Sequence, residues 1–141
     1  MEKKSGIDSD YLKVRVKEVE EAVKELVRLT SKPFGDLSFD GRQSMRYQVI
    51  VLAEAIGSIC IHISMEDLGY EPESYSDCIA YLRDKEIVGC AEELIKIIRM
   101  RNLLVHRYWV VDDFRVYSSV KENFKCVEEF SNTVKERYGL R

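Results

Sequence analysis

The sequence predicts an all-α protein, a single-domain antiparallel bundle of about five helices. Three observations carry that expectation. Apolar residues recur at three- and four-residue intervals over long stretches. The 141 residues include only two prolines and seven glycines, which suits long uninterrupted helices. No stretch alternates apolar and polar residues for long enough to read as a strand, and no internal repeat is visible. With 45% hydrophobic and 33% charged residues, the chain has the composition of a soluble globular protein able to bury a real core. One domain over residues 1–141 is expected, with its core at about 9–139.

A first helix is expected over Ser9–Thr30, capped by Asp8 or Ser9. Leu12, Val16, Val19, Val23, Leu26 and Val27 form its inner face, and the Lys and Glu residues between them suit a solvated outer face. Lys32-Pro33-Phe34-Gly35-Asp36 breaks it, and the loop runs on to about Asp40. The second helix, about Gly41–Ser64, reads as the most buried. Met45, Val49, Leu52, Ile56, Ile59 and Ile63 make one face; Ile50, Gly57 and Ile61 make a nearly opposite one, with Arg46 and Glu54 on or beside it. A helix apolar on two sides needs two partners, the domain core and a candidate second subunit. Glu54 is then a candidate to pair with Arg46, or with Arg101 of a neighbouring subunit. After the turn Leu68-Gly69-Tyr70-Glu71-Pro72, Ser74 caps a short third helix, Tyr75–Lys85, with Ile79 and Leu82 inward. Gly89 marks a break before a fourth helix, Cys90–Arg107. Tyr108-Trp109-Val110-Val111 has β propensity but is too short between two helices to be more than a tight connection. Asp112 or Asp113 caps the fifth helix, which packs through Tyr117, Val120, Phe124, Val127, Phe130 or Ser131, Val134 and Tyr138.

Composition also excludes. A net charge of −3 and a pI near 5.5 leave no global basic footprint, so any attraction to nucleic acid must be local. Cys60, Cys78, Cys90 and Cys126 contain no Cys-x-x-Cys pair, and with only His62 and His106 beside them no zinc set is recognisable. Four cysteines could form two disulfides, but each lies in an apolar helical context, and in a cytosolic protein buried free thiols are the expectation. Neither a signal peptide nor a span of about 20 apolar residues is apparent, which places the chain in the cytoplasm, away from membranes.

The densest chemistry lies in Arg101-Asn102-Leu103-Leu104-Val105-His106-Arg107-Tyr108. On a helix of about 100° per residue, Leu94, Ile98 and Val105 fall within about 40° of one another, with Arg101 inside the same stripe. An arginine there must be paired, lie at an interface or line a polar cavity. Asn102 and His106, four apart, stand one above the other on the flank. His106 is suited to general acid–base catalysis, Arg101 to holding a phosphate, and Asn102 to orienting the imidazole or donating to an oxyanion. Such a set suits RNA cleavage by attack of the 2′-OH on its own phosphate, which needs a base, an acid and a cation but no metal and no cofactor. One useful histidine per chain points to a symmetric homodimer whose two His106 residues converge on a composite cleft. Blander readings stand beside these. Protonated His106 near a helix C-terminus stabilises the dipole, Arg101 forms a structural ion pair, His62 is a satisfied core residue, and Tyr108 and Trp109 are packing aromatics.

Residues 101–112, Arg-Asn-Leu-Leu-Val-His-Arg-Tyr-Trp-Val-Val-Asp, resemble the Arg-x4-His-x-Tyr signature of the HepT-like branch of the HEPN superfamily. Arg46 and Glu54 on the second helix, and Tyr75 opening the third after a Pro-containing turn, match in order, so the resemblance covers about residues 9–139. It implies a helical homodimer, the toxin half of a toxin–antitoxin pair, with facing Arg-x4-His motifs forming a metal-independent endoribonuclease site. Arg101 and His106 would be the catalytic pair and Asn102 a polar helper. The implied partner is MntA, a minimal nucleotidyltransferase that transfers AMP from ATP to the motif tyrosine, here Tyr108. The alternative is a non-catalytic nucleotide- or substrate-binding subunit of a nucleotidyltransferase complex.

Overall fold

A computed structural model describes residues 6–140. Five helices follow one another: α1 (Ser9–Thr30), α2 (Phe39–Glu66), α3 (Tyr75–Asp84), α4 (Ala91–His106) and α5 (Asp113–Arg137). Single 3-10 turns lie at Phe34–Asp36 and Tyr108–Val110, and no strand occurs among the described residues. Caps set most of the boundaries. The side chains of Asp8, Ser38, Ser74 and Asp112 accept from the backbone N–H groups of Tyr11, Gly41, Asp77 and Phe114, satisfying donors that the first helical turn leaves orphaned. Because Ser38 is the cap, α2 starts two residues before the expected Gly41 and also runs two beyond Ser64. At its other end, α4 stops at His106, where Arg107 leaves helical geometry at φ −144° and ψ 46°.

The bundle is built around α2, which packs against all four other helices. Its first face, Met45, Val49, Leu52, Ile56, Ile59 and Ile63, is at most 3% exposed. The length and hydropathy of α2 would allow it to cross a membrane; its apolar faces are instead spent on the other helices. Its second face is covered partly by α3 of the same chain. A Cβ at Gly57 would lie 2.5 Å from the Tyr75 ring, so only glycine lets the two helices approach this closely.

Two apolar positions expected to face inward do not. Val27 of α1 is 45% exposed and Val105 of α4 is 43% exposed. The buried stripe of α4 passes instead from Leu94 and Ile98 through Ile97 to Leu104. His62 sits half-buried at the rim, where its Nε2 accepts the backbone N–H of Asp8 at 2.9 Å and its ring meets Tyr11. The cysteines divide. Cys60 and Cys78 are free and fully buried, and burial pushes the Cys78 thiol up to about 12. Cys90 and Cys126 correct the expectation of four free thiols: packing of α4 on α5 brings their Cα atoms to 5.6 Å and the side chains form a disulfide. Their separation of 36 residues carried no local signal for that pairing.

Candidate active site

Three helices converge on Arg101. Glu54 comes from the second face of α2, Tyr75 from the first turn of α3, and Arg101 with Asn102 from the third turn of α4. One arm of the Arg101 fork pairs with Glu54, and the other donates to Asn102 Oδ1 at 2.7 Å. Tyr75 donates its hydroxyl to the second Glu54 oxygen at 2.9 Å, while its ring lies 5.7 Å from the guanidinium carbon. Burial, followed by the adjoining Glu54 carboxylate, raises the Tyr75 pKa. The Arg101 side chain is 23% exposed, and its Nε is buried without a hydrogen-bond partner. The arginine expected inside the apolar stripe is therefore paired, with Glu54 of its own chain. A cleft of about 430 Å³ opens beside it, bordered by Tyr75, Ser76, Arg101 and Asn102.

His106 is exposed at the last position of α4, about 7.5 Å further along the axis than Arg101 at 1.5 Å per residue. No side chain among the described residues hydrogen-bonds its ring, and Arg101 and His106 are not joined within the chain. Tyr108, in the 3-10 turn just beyond, is 62% exposed and meets Trp109 edge to face. Both aromatics point to solvent rather than pack inside.

Arg46 lies elsewhere than a pairing with Glu54 would require. Its Nε donates to Asp113 at 2.5 Å, Nη1 to the Tyr108 carbonyl at 3.0 Å and Nη2 to the Val111 carbonyl at 2.7 Å. One planar fork thus ties the segment after His106 and the first residue of α5 to α2, a geometry that suits arginine. Asp113, which also lies 3.6 Å from Arg42, is the residue that sequence reasoning missed. Its signal was the four-residue spacing of Arg42 and Arg46 on one helix face, two cations in want of an acid.

Around His106 the surface is unusually apolar. Leu103, Val105, Tyr108, Trp109, Val110 and Phe114 are each 39–68% exposed.

A helical bundle with Arg-x4-His closing its fourth helix and an exposed tyrosine two residues on defines a class of protein. The family described as Ribonuclease HepT-like matches residues 16–134, and the chain belongs to it. No curated protein matches the sequence. Among solved structures, the fold is similar to YutE of Bacillus subtilis, a cytosolic protein of unknown function. The TM-score is 0.83 at 21% identity, over 94% of this chain and 92% of that one. It is similar also to a tri-AMPylated HEPN toxin of Shewanella oneidensis in complex with an MNT antitoxin, with TM-score 0.79 and 20% identity over 90% and 98% of the two chains. A toxin–antitoxin structure with AMP-PNP gives TM-score 0.80 at 19% identity, over the same shares.

Proposed function

We propose that this chain is a metal-independent endoribonuclease, the cytoplasmic toxin of a HEPN–nucleotidyltransferase toxin–antitoxin pair. It cuts RNA at a composite site formed by the Arg101 and His106 residues of two copies and is silenced by AMP transferred to Tyr108. The observation that carries the reading is the end of α4: a half-buried Arg101 beside an open cleft, and an exposed His106 with no partner among the described residues. An imidazole left free in this way is available as acid or base. The apolar side chains left 39–68% exposed around it, Leu103, Val105, Tyr108, Trp109, Val110 and Phe114, favour burial against a second copy. In such a dimer, Arg101 would hold the scissile phosphate, one His106 would take the 2′-OH proton and the other would protonate the leaving 5′-oxygen. Asn102 would steer the guanidinium through their shared hydrogen bond. An AMP on Tyr108 would add phosphate charge beside the cleft and compete for Arg101. An MntA-like nucleotidyltransferase is the partner the reading requires.

One observation favours the second reading, a nucleotide- or substrate-binding subunit that does not cut. Glu54 already neutralises Arg101, which lowers the charge offered to a substrate phosphate.

The test is incubation of unmodified protein with mixed-sequence RNA in excess EDTA, beside His106→Ala and a DNA control. Cleavage of RNA alone, leaving cyclic-phosphate ends and absent in the folded variant, is expected. Intact RNA with dimeric wild type would move the assignment to the binding subunit.

A further inference from the structure

At the opposite end of α4 from His106, two helices present the same short pattern. Cys90 and Glu93 open α4, and Cys126 and Glu129 sit midway along α5, each a cysteine followed three residues later by a glutamate. The spacing places both side chains of each pair on one helix face. The ligand atoms of Cys90, Glu93 and Cys126 all lie within 4.8 Å of one another, and all three residues are half-buried. Glu129 Oε1 lies 3.2 Å from Cys90 Sγ.

We propose that in the reduced protein Cys90, Cys126, Glu93 and Glu129 form a binding site for a thiophilic divalent cation of the zinc class. The disulfide is the oxidised form of the same site. Two arguments carry this. First, a disulfide sulfur bears no hydrogen, so the carboxylate at 3.2 Å gains nothing from it. As a thiol, Cys90 would donate to Glu129; as a thiolate, it would share a cation with it. Second, the four groups are all of the acidic kind, and among the described residues no salt bridge reaches Glu93 or Glu129. A cation between them removes the repulsion. Ligand atoms around one tetrahedral zinc ion lie about 3.6–3.8 Å apart, given bonds near 2.3 Å to sulfur and 2.1 Å to oxygen. Rotation about the two Cα–Cβ bonds brings the sulfurs to that separation from Cα atoms 5.6 Å apart. Thiolates select zinc-class ions over magnesium and calcium. The balance is simple. A phosphine reductant takes the oxygen of one water, its two hydrogens go to the sulfurs, and the cation then displaces both thiol protons. Since α4 puts this site about 24 Å from His106 at 1.5 Å per residue, its cation is a fastener between α4 and α5 and no participant in RNA chemistry.

The test uses the full chain, reduced with a phosphine under anaerobic conditions, stripped of metal and titrated with Co²⁺. Expected are a sulfur-to-cobalt charge-transfer band and tetrahedral d–d bands that saturate at one equivalent per chain and vanish on adding Zn²⁺. Cys126→Ser should abolish the charge-transfer band, and Glu129→Gln should weaken Co²⁺ binding about tenfold. Should Cys126→Ser fail to fold, the exposed Glu129→Gln variant still decides. Absence of the bands in reduced, folded wild type overturns the proposal and leaves the pair a plain cross-link. So do bands that survive Cys126→Ser, or affinity that ignores Glu129→Gln. The RNA assay in EDTA is run on the disulfide form, so the two readings fail separately.

Discussion

Gly57 and Arg46 show how single residues decide what the site can be. Gly57→Ala gains about 1 kcal/mol of helix propensity but drives a methyl group to 2.5 Å from the Tyr75 ring. Overpacking of that kind costs about 1–3 kcal/mol. A net loss of up to about 2 kcal/mol in urea unfolding is expected, together with loss of the Tyr75–Glu54 hydrogen bond; a variant as stable as wild type would show that the contact is not tight. Arg46→Ala takes the charged donor from Asp113, which then keeps only Arg42 at 3.6 Å, and from the Val111 carbonyl, while Tyr108 O still accepts the Val111 N–H; it should cost about 2–3 kcal/mol. Faster amide exchange over residues 108–114 is the local readout. Arg46→Lys should recover little, since a point charge cannot serve three acceptors in one plane. At this scale the sequence was only half legible. Arg101 in an apolar stripe called for a partner, an interface or a polar cavity, and Glu54 was a candidate partner for Arg46 or for Arg101 of a neighbouring subunit. Whether that partner lay in the same chain depended on how closely α2 and α4 approach, which no single helix encodes. The same limit hid Asp113, whose role exists only once α2 meets the start of α5.

At the scale of helices, local chemistry was read well wherever a cap or breaker acts through neighbours in sequence. The span of α1 follows from Asp8 and the Ser31–Pro33 break, and α3 begins at Tyr75 because Ser74 caps it. Facing was read less well at Val27 and Val105: each follows a buried residue, Leu26 and Leu104, and one step of about 100° around the helix carries it out of the covered arc. The far end of α5 yields a prediction in pH. Tyr138 donates to Asp67, the C-cap residue of α2, at 2.8 Å. Burial, then the hydrogen bond to that carboxylate, raises its phenol from the ordinary 10.0 to about 12. The folded state therefore holds this proton more tightly than the unfolded chain. The contribution to stability is complete below pH 10.0 and is lost as pH rises through about 12. Tyr138→Phe should make the alkaline decline of the denaturation midpoint shallower than in wild type. An unchanged slope would locate the loss at other phenols or thiols.

The whole molecule is a bundle whose central helix spends its surface on four neighbours. That architecture was legible from periodicity, and the second apolar face of α2 was read correctly as needing a partner. Part of the partner is α3 rather than another copy, a distinction set by the Gly57–Tyr75 approach. If two copies nonetheless meet at the end of α4, sedimentation should give a dimer. Val105→Asp together with Phe114→Asp should leave a folded monomer that no longer cuts RNA; a doubly substituted dimer would place the interface elsewhere. The position of Trp109 has a bearing on all such experiments. It is the chain's one tryptophan, it is 68% exposed, and it belongs to the apolar rim three residues beyond His106. Its emission therefore carries a spectroscopic record of that rim without any label. Dilution through a dimer equilibrium would shift the emission to the red as the indole meets water, RNA would quench it by stacking, and an adenine attached at Tyr108 would change its lifetime.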